Sequence, residues 1–508
     1  MRNELFTTTS KNPRKVATAV NHAGGRAYDP GAEHGLAQMA MTCTLADSYY
    51  TSSETQLREV ISLADKCSPE FIGKLAVYAR EVGQMKDLPA LLVAYLASKY
   101  ESEMLNLVFA RVIDNGRMVR NFVQIIRSGR LSRRGLGSQP KRLLRQWFAS
   151  QGAEGVFRNS VGTNPSMADV IKLARPIPLN DSERDMYRYL IGKGEPCGLA
   201  YHVKKWGLGE GDMPKLPFEF LAGAASKASH WEEIAHGLSW NATLKNLNTF
   251  ARHKVSADAW VAIETRLRQQ PPKYVFPYSI MTAFKYIQDN VDIPMRIKLA
   301  VQDALDSAMD NIPALAGSVA VLVDTSGSMG SAVTGHRGSA TGATTCVEVA
   351  SLVASAILRR NPGATIVAFD TAAAVIQLNP RDSVVTNAAK LARRGGGTDV
   401  GCAVRLLNER GIAPDNVIIV SDNESWYDTV RSPHTSAQRE WNQLAARNKA
   451  AKLVCLDIQA NPTLQVVSGR RVLNLGGFSD AIWSTISEFS KGNLEVKTWV
   501  DKIHQIEL

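Results

Sequence analysis

The amino-acid sequence predicts a multidomain chain, with an all-α helical-repeat array over residues 1–315 followed by an α/β doubly wound domain over residues 316–508. Three observations carry this reading. At 508 residues the chain exceeds what one ordinary core accommodates. From about Pro69 to Asp310, apolar residues recur three and four apart in one short segment after another. Near Ala316 the pattern changes to short β-branched runs that alternate with helical stretches.

The helical part is read from "PEFIGKLAVYAREVG", "LPALLVAYLASKY", "NFVQIIRSGRL", "PKRLLRQWFAS" and "ADAWVAIETRLRQQ", each punctuated by Gly, Pro, Asn or Ser. No exact repeat motif occurs, so the array rests on the succession of short helices, with an ordinary compact all-α domain as the alternative. In the second part "SVAVLVD", "ATIVAFD", "AAVIQL", "NVIIVSD" and "AKLVCLDI" have the apolar, β-branched look of strands buried on both faces. Helical stretches separate most of them, "TCVEVASLVASAILRR", "NAAKLAR", "VGCAVRLLNE" and "QREWNQLAARN". Alternating βα units imply a parallel sheet with right-handed crossovers. The chain around Asp370 to Ala374 reads as a local antiparallel hairpin at the sheet edge.

Hydrophobic residues make up 45% and charged residues 21%, which places the chain among globular proteins rather than disordered ones. The start, "MRNELFTTTSKNPRKV", lacks a signal-peptide core, and no uncharged apolar run reaches spanning length. A soluble cytoplasmic protein with no membrane partner is the expectation. The six cysteines (Cys43, Cys67, Cys197, Cys346, Cys402, Cys455) are scattered without a C-x-x-C, which argues against zinc and for reduced thiols.

The net charge of +11 is unevenly distributed. Up to Asp310 there are 40 basic and 31 acidic residues; beyond it there are 19 and 17. Between Arg111 and Arg145 ten Lys or Arg stand against one acid, Asp114. Such a density attracts a polyanion. Arg117, Arg120, Arg127, Arg130, Arg133, Arg134, Lys141, Arg142 and Arg145 are therefore candidate contacts for a polyanion, with Arg111 adding to the charge. Trp147 and Phe148 could stack on bases, although their helical spacing with Leu143 and Leu144 favours core packing.

In a doubly wound sheet, ligands sit at the carboxyl ends of strands where strand order reverses. Asp324, Ser326 and Ser328 follow the first strand, "GGGTD" (Gly395 to Asp399) precedes a helix, and "SDNES" (Ser421 to Ser425) follows the strand "NVIIV". Together they offer two carboxylates and three hydroxyls, hard oxygen donors of the kind Mg²⁺ or Mn²⁺ selects. With so few carboxylates, a bound ion keeps positive charge for an acidic oxygen of a partner, which suits adhesion rather than hydrolysis. Ser326-Gly327-Ser328-Met329-Gly330 falls one residue short of a nucleophile elbow, and neither His434 nor His504 is marked as its base. The long Gly/Ser/Thr-rich stretch Gly330 to Ala343 also separates it from any helix. A phosphate loop would need Gly-Lys-Ser/Thr where Thr398-Asp399 stand. The expectation is a protein that is not an enzyme.

The D-x-S-x-S order with a later Thr and Asp resembles the metal-ion-dependent adhesion site of von Willebrand factor A domains. That resemblance makes Asp324, Ser326, Ser328, Thr398 and Asp422 the metal ligands, with Mg²⁺ as the expected cation and Mn²⁺ as the alternative. The combination with the first part is more specific. "DTSGSM", "GGTD", "SDNES" and "GGFSD", together with "NHAGGRAY", "DSYYTS", "WNATLKNL" and "FPYSIMTAFKYI", make nearly the whole chain similar to the Ro ribonucleoprotein (TROVE-domain) family, in a bacterial-type form.

The resemblance implies a ring of HEAT-like repeats whose ends are closed by the A domain. It further implies small structured Y RNA on the basic outer surface and single-stranded 3′ ends of misfolded RNA in a central hole, for RNA quality control or processing. An exoribonuclease joined through an RNA tether is an implied partner. In "SMADVIKLARP" the family pattern shows a histidine that contributes to RNA binding where Met167 stands, and Arg158, Lys172 and Arg175 are the basic candidates nearby. Y RNA recognition in its animal form is thereby put in doubt. The rival reading is a metal-dependent protein-adhesion scaffold with a protein-binding helical array; ten cations in one stretch favour RNA.

Overall fold

The computed structural model describes residues 16–132, 134–272, 275, 277–309, 312–333, 344–392, 395–428, 430, 432–477, 480–492 and 499–508. The candidate Arg133 and most of the Gly330 to Ala343 stretch lie outside these residues. The chain opens with a short antiparallel pair, β1 (Ala19–Val20) and β2 (Arg26–Ala27). Helices then follow one another from Ala32 to Met309, as the periodicity predicts from about Pro69 onward, with two more before that stretch. The first are α1 (Ala32–Thr42), α2 (Ser53–Ala64), α3 (Pro69–Glu81) and α4 (Asp87–Lys99). They continue as α5 (Met104–Val112), α6 (Gly116–Arg127), α7 (Ser138–Arg158) and α8 (Met167–Ala174).

Local chemistry sets where they begin. The Ser68 side chain accepts from the Phe71 amide with Pro69 in the first turn, and Asn115 accepts from the Arg117 and Met118 amides. Ser166 and Asp169 form a reciprocal capping box for α8. α6 buries Met118, Val119, Phe122, Val123 and Ile126 and turns Arg117 and Arg127 outward, whereas α4 is buried from Leu88 to Ala97 and forms the centre of the first core. α7 runs past the expected stretch and breaks at Gly152, whose φ of 64° only glycine adopts freely.

The second part is a six-stranded sheet in the order β5-β4-β3-β6-β7-β8. Its strands are β3 (Val319–Asp324), β4 (Thr365–Phe369), β5 (Ala373–Val375), β6 (Asn416–Ser421), β7 (Lys452–Asp457) and β8 (Val472–Gly476). All pairings are parallel except β4 with β5, the expected edge hairpin. Along β3, Val319, Val321 and Val323 enter one apolar core while Ala320 and Leu322 enter the other, so the sheet is covered on both faces. Order reverses at β3, which lies between β4 and β6, and the crevice opens there.

The A domain touches both ends of the helical array. At the first end, Tyr28 and Leu464 exchange backbone hydrogen bonds of 2.8 and 3.0 Å, and Gln38 on α1 donates to Asp457 at the end of β7. The closing helix Trp499–His504 returns to this end, where the Trp499 indole N–H donates to the Tyr78 hydroxyl at 3.1 Å. At the other end Lys285 pairs with Glu348 at 2.7 Å and Arg359 with Asp306 at 3.2 Å. Among the described residues, no helix is long and apolar enough to cross a membrane.

Candidate cation site and nucleic-acid interface

Asp324 ends β3 and Asp422 follows β6, so adjacent parallel strands bring the two carboxylates to one place. Asp324 accepts from the Ser326 amide at 2.9 Å and from the Ser421 hydroxyl at 2.6 Å. The Ser326 and Ser328 hydroxyls lie 3.2 Å apart on the turn into the short 3₁₀ helix Gly327–Gly330. The glycine loop closes over them, with the Gly395 amide donating to the Thr325 carbonyl and the Gly327 amide to the Gly396 carbonyl. Thr398 is fixed through its own carbonyl, which accepts from the Trp426 and Tyr427 amides at 3.1 and 3.0 Å. The five expected ligands therefore share one buried crevice, each at most 2% exposed.

Two polar atoms in this crevice, Thr398 Oγ1 and Asp422 Oδ2, have no hydrogen-bond partner. Leaving such atoms dry and unpaired is costly, so they fit a missing ligand. Burial, together with the Asp324 charge beside it, pushes the Asp422 carboxyl up to about 8, and burial raises Asp324 as well. A hard divalent cation held by Asp324, Ser326, Ser328, Thr398 and Asp422 would supply the missing partner and offset the two charges. Among the described residues no group of three His, Cys, Asp or Glu is placed to hold a metal, so such a site leans on its hydroxyls. Asp399 stands apart: it caps the helix Val400–Glu409 and accepts from the Ser436 hydroxyl at 2.7 Å.

Sequence reasoning missed the helical part's share of this crevice. Tyr50, on the loop between α1 and α2, reaches Ser328 with its hydroxyl. His22 lies 2.8 Å from Glu59 on α2 and 3.0 Å from Glu424 beside Asp422. Burial alone would lower its pKa, but the two carboxylates raise it to about 10. No local pattern marks these contacts, because each joins residues far apart in the chain. His434 bonds the Tyr28 hydroxyl and His504 pairs with Glu33, so both candidate bases have other partners.

The basic candidates divide by what they touch. Arg111 makes a two-pronged pair with Glu81, Arg130 pairs with Glu54, Arg145 donates to the Ala174 carbonyl and Arg158 to the Lys215 carbonyl. These arginines serve the fold in part. Ser166 hydrogen bonds, with lesser pulls from Lys172 on α8 and Arg127 on α6, lower the Asp169 carboxyl, and Arg175 follows on an exposed left-handed residue. Arg134 lies along Gly129, and Lys141 and Arg142 project from the first turn of α7. Trp147 and Phe148 are core residues, 5% and 0% exposed. Met167 is 1% exposed, so the place of the family's histidine faces the core here.

A second gathering was visible only in three dimensions. Lys86 at the start of α4, Arg117 in the first turn of α6 and Lys245 at the end of the helix Trp240–Lys245 repel one another. Burial, then Arg117, Lys245 and Arg80, lowers Lys86 to about 8 against the pull of Asp87. Burial and Arg117 lower Lys245, and Arg120 is lowered by burial and Arg117 in turn. Both lysines keep solvent-accessible surface, so their ammonium groups are open to a ligand. Two of the three stand at helix N-termini, which already favour an anion.

A helical array touched at both ends by a doubly wound domain with this D-x-S-x-S crevice defines a Ro-like, A-domain-bearing fold. Residues 318–490 match the family model of the Ro60 vWA domain. Over 91% of this chain and 100% of the other, the fold matches the crystal structure of the Deinococcus radiodurans Ro (RSR) protein, with a TM-score of 0.62 at 18% identity. In its overall fold the chain is similar to that Ro protein, as its motifs indicate. A search of curated protein sequences gave no match.

Proposed function

We propose that the protein is an RNA-binding scaffold, the protein part of a cytoplasmic ribonucleoprotein, with no catalytic step of its own. The observation that carries this is the convergence of Lys86, Arg117 and Lys245, drawn from distant helices and held close despite mutual repulsion. Holding like charges together costs free energy, and a phosphate backbone is the partner that offsets it. This group is the seat for single-stranded 3′ ends of misfolded RNA. A small structured Y-like RNA takes the outer basic residues, Arg127, Arg134, Lys141, Arg142, Lys172 and Arg175, which expose their charge around α6 to α8. Mg²⁺, with Mn²⁺ as substitute, occupies the crevice of Asp324, Ser326, Ser328, Thr398 and Asp422. An exoribonuclease would join through the bound RNA rather than through a dedicated protein surface.

The test is purification from cells at low salt, with sequencing of co-purifying RNA, for the wild type and for Arg127→Ala/Lys172→Ala/Arg175→Ala. One abundant small structured RNA, lost from the variant, is the expected result. Protein free of RNA that also fails to bind single-stranded 3′ ends overturns the reading and favours a protein-adhesion scaffold. Isothermal titration with Mn²⁺ tests the crevice separately: wild type binds one ion, and Thr398→Ala or Asp422→Asn does not.

A further inference from the structure

Two aromatic pairs, one from each part of the chain, adjoin the residues of the crevice. On the A-domain side, Trp426 and Tyr427 hang from the backbone that bonds the Thr398 carbonyl, their rings 6.0 Å apart and edge-on. The indole lies so close on Gly397 that a side chain there would run into it. Both rings are nonetheless about half exposed, at 47% and 43%. On the helical side, Tyr49 and Tyr50 pair at 4.8 Å; Tyr50 reaches Ser328, and Tyr49 is 61% exposed. Large exposed aromatics are costly ornaments on a protein surface. Three of them, with the half-buried Tyr50, near two unpartnered, buried oxygens call for a ligand with a flat apolar face and an acidic oxygen.

We infer that the partner of the cation crevice is a nucleotide of a single-stranded RNA, its phosphate oxygen meeting the ion and its base stacking on Trp426, with Tyr427 edge-on beside it. An acidic protein side chain would satisfy the ion equally well but has no use for the aromatic faces. A base does, because every base carries a π-face and an aromatic neighbour binds it with little sequence preference. Tyr49 adds a second face from the helical side, so the subsite belongs to the closed molecule rather than to the A domain alone. The inference rests on the cation reading of the crevice.

The experiment uses the full-length protein and a fluorescein-labelled single-stranded hexa-adenylate, with binding read by anisotropy in Mg²⁺ and in EDTA. EDTA weakens wild-type binding, and Trp426→Ala removes about 5- to 100-fold of affinity in Mg²⁺, the range expected for one stacked base. Trp426→Phe, which keeps a stacking face and guards against a folding defect, restores most of it, and Tyr427→Ala and Tyr49→Ala show smaller losses. A Mn²⁺ titration is run on every variant. If wild type binds Mn²⁺ while hexamer affinity ignores both EDTA and Trp426→Ala, the inference falls and the cation reading stands. Magnesium-dependent binding of a hexaglutamate peptide that matches the hexamer also overturns it, in favour of an acidic protein partner. Wild type that binds no Mn²⁺ sinks the cation reading and the inference together.

Discussion

Replacing Lys86, Arg117 and Lys245 together by Gln gives the sharpest test of the cationic group. If each of the three meets one phosphate of a single strand, each releases about 0.7 of a condensed counterion. The triple variant then lowers the slope of log affinity against log salt by about 2, and at tenth-molar salt this amounts to a loss of about 100-fold. Anisotropy titrations of an unstructured oligonucleotide across a salt series measure both numbers. Binding should also respond to pH, because burial and the neighbouring cations lower Lys86 to about 8. Below that pH the ammonium is charged and contributes fully; above it the contribution fades, and Lys86→Gln removes this part of the profile. In the free protein the sign is opposite. The folded state holds fewer protons than the unfolded chain between about 8 and the ordinary lysine value, so stability rises with pH across that window in wild type. An unchanged salt slope in the triple variant, with folding intact, would refute the assignment of these residues to a phosphate backbone.

Three further outcomes follow from the contacts. Gly25→Ala forces a methyl group into the Ser425 carbonyl and Trp426 backbone, so unfolding measured by heat or urea should show a loss of about 1–3 kcal/mol. His22→Gln removes an imidazolium shared by Glu424 and Glu59; the folded pKa is raised, so the stability lost by the variant is full below about 6.5 and vanishes as pH climbs to about 10. Urea titrations of both proteins across that range check it. Met167→His, which restores the family's residue, places an imidazole in a core position, costing about 1–3 kcal/mol in urea unfolding without strengthening structured-RNA binding in a gel shift.

The sheet was legible because its central strands are buried on both faces and read as short β-branched runs; with the partly exposed edge strand β5, five of six stand where the runs stand. β8 escaped because Asn474 interrupts its apolar run. That amide is satisfied within the fold by the Val466 carbonyl and the Ser468 hydroxyl, which no local pattern announces. The crevice was legible for a different reason. Its ligands cluster at strand ends, where hydroxyls and carboxylates have no part in a core, so they stand out against the apolar runs before them. The basic stretch misled in detail. Sequence counts Arg111, Arg130 and Arg145 alongside Arg127, whereas Glu81, Glu54 and the Ala174 carbonyl, all from other helices, engage the first three. Lys86 carried no signal at all, since its meaning comes from Arg117 and Lys245 on other helices.

Taken together, these contacts make the crevice a shared property of both parts of the chain. Glu424, two residues past Asp422, accepts from the Ala23 amide at 2.9 Å and pairs with His22. Asp457, raised well above the ordinary carboxylate range by burial, depends on Gln38 of α1 for a hydrogen bond. Tyr50 brings the loop after α1 onto Ser328. An isolated A domain would keep the five ligands but lose the tyrosines, the doubly paired histidine and the amide that Asp457 needs. An ion bound in the crevice would therefore be linked to the seating of the first helices on the A domain: whatever favours one geometry of the crevice acts on the contact between the two parts. Linkage of this kind is reciprocal, so loosening the N-terminal contact with Gly25→Ala should change Mn²⁺ affinity, and saturating Mn²⁺ should raise the melting temperature of wild type more than that of Tyr50→Phe. Identical Mn²⁺ affinity and identical shifts in all three proteins would mean that the crevice belongs to the A domain alone.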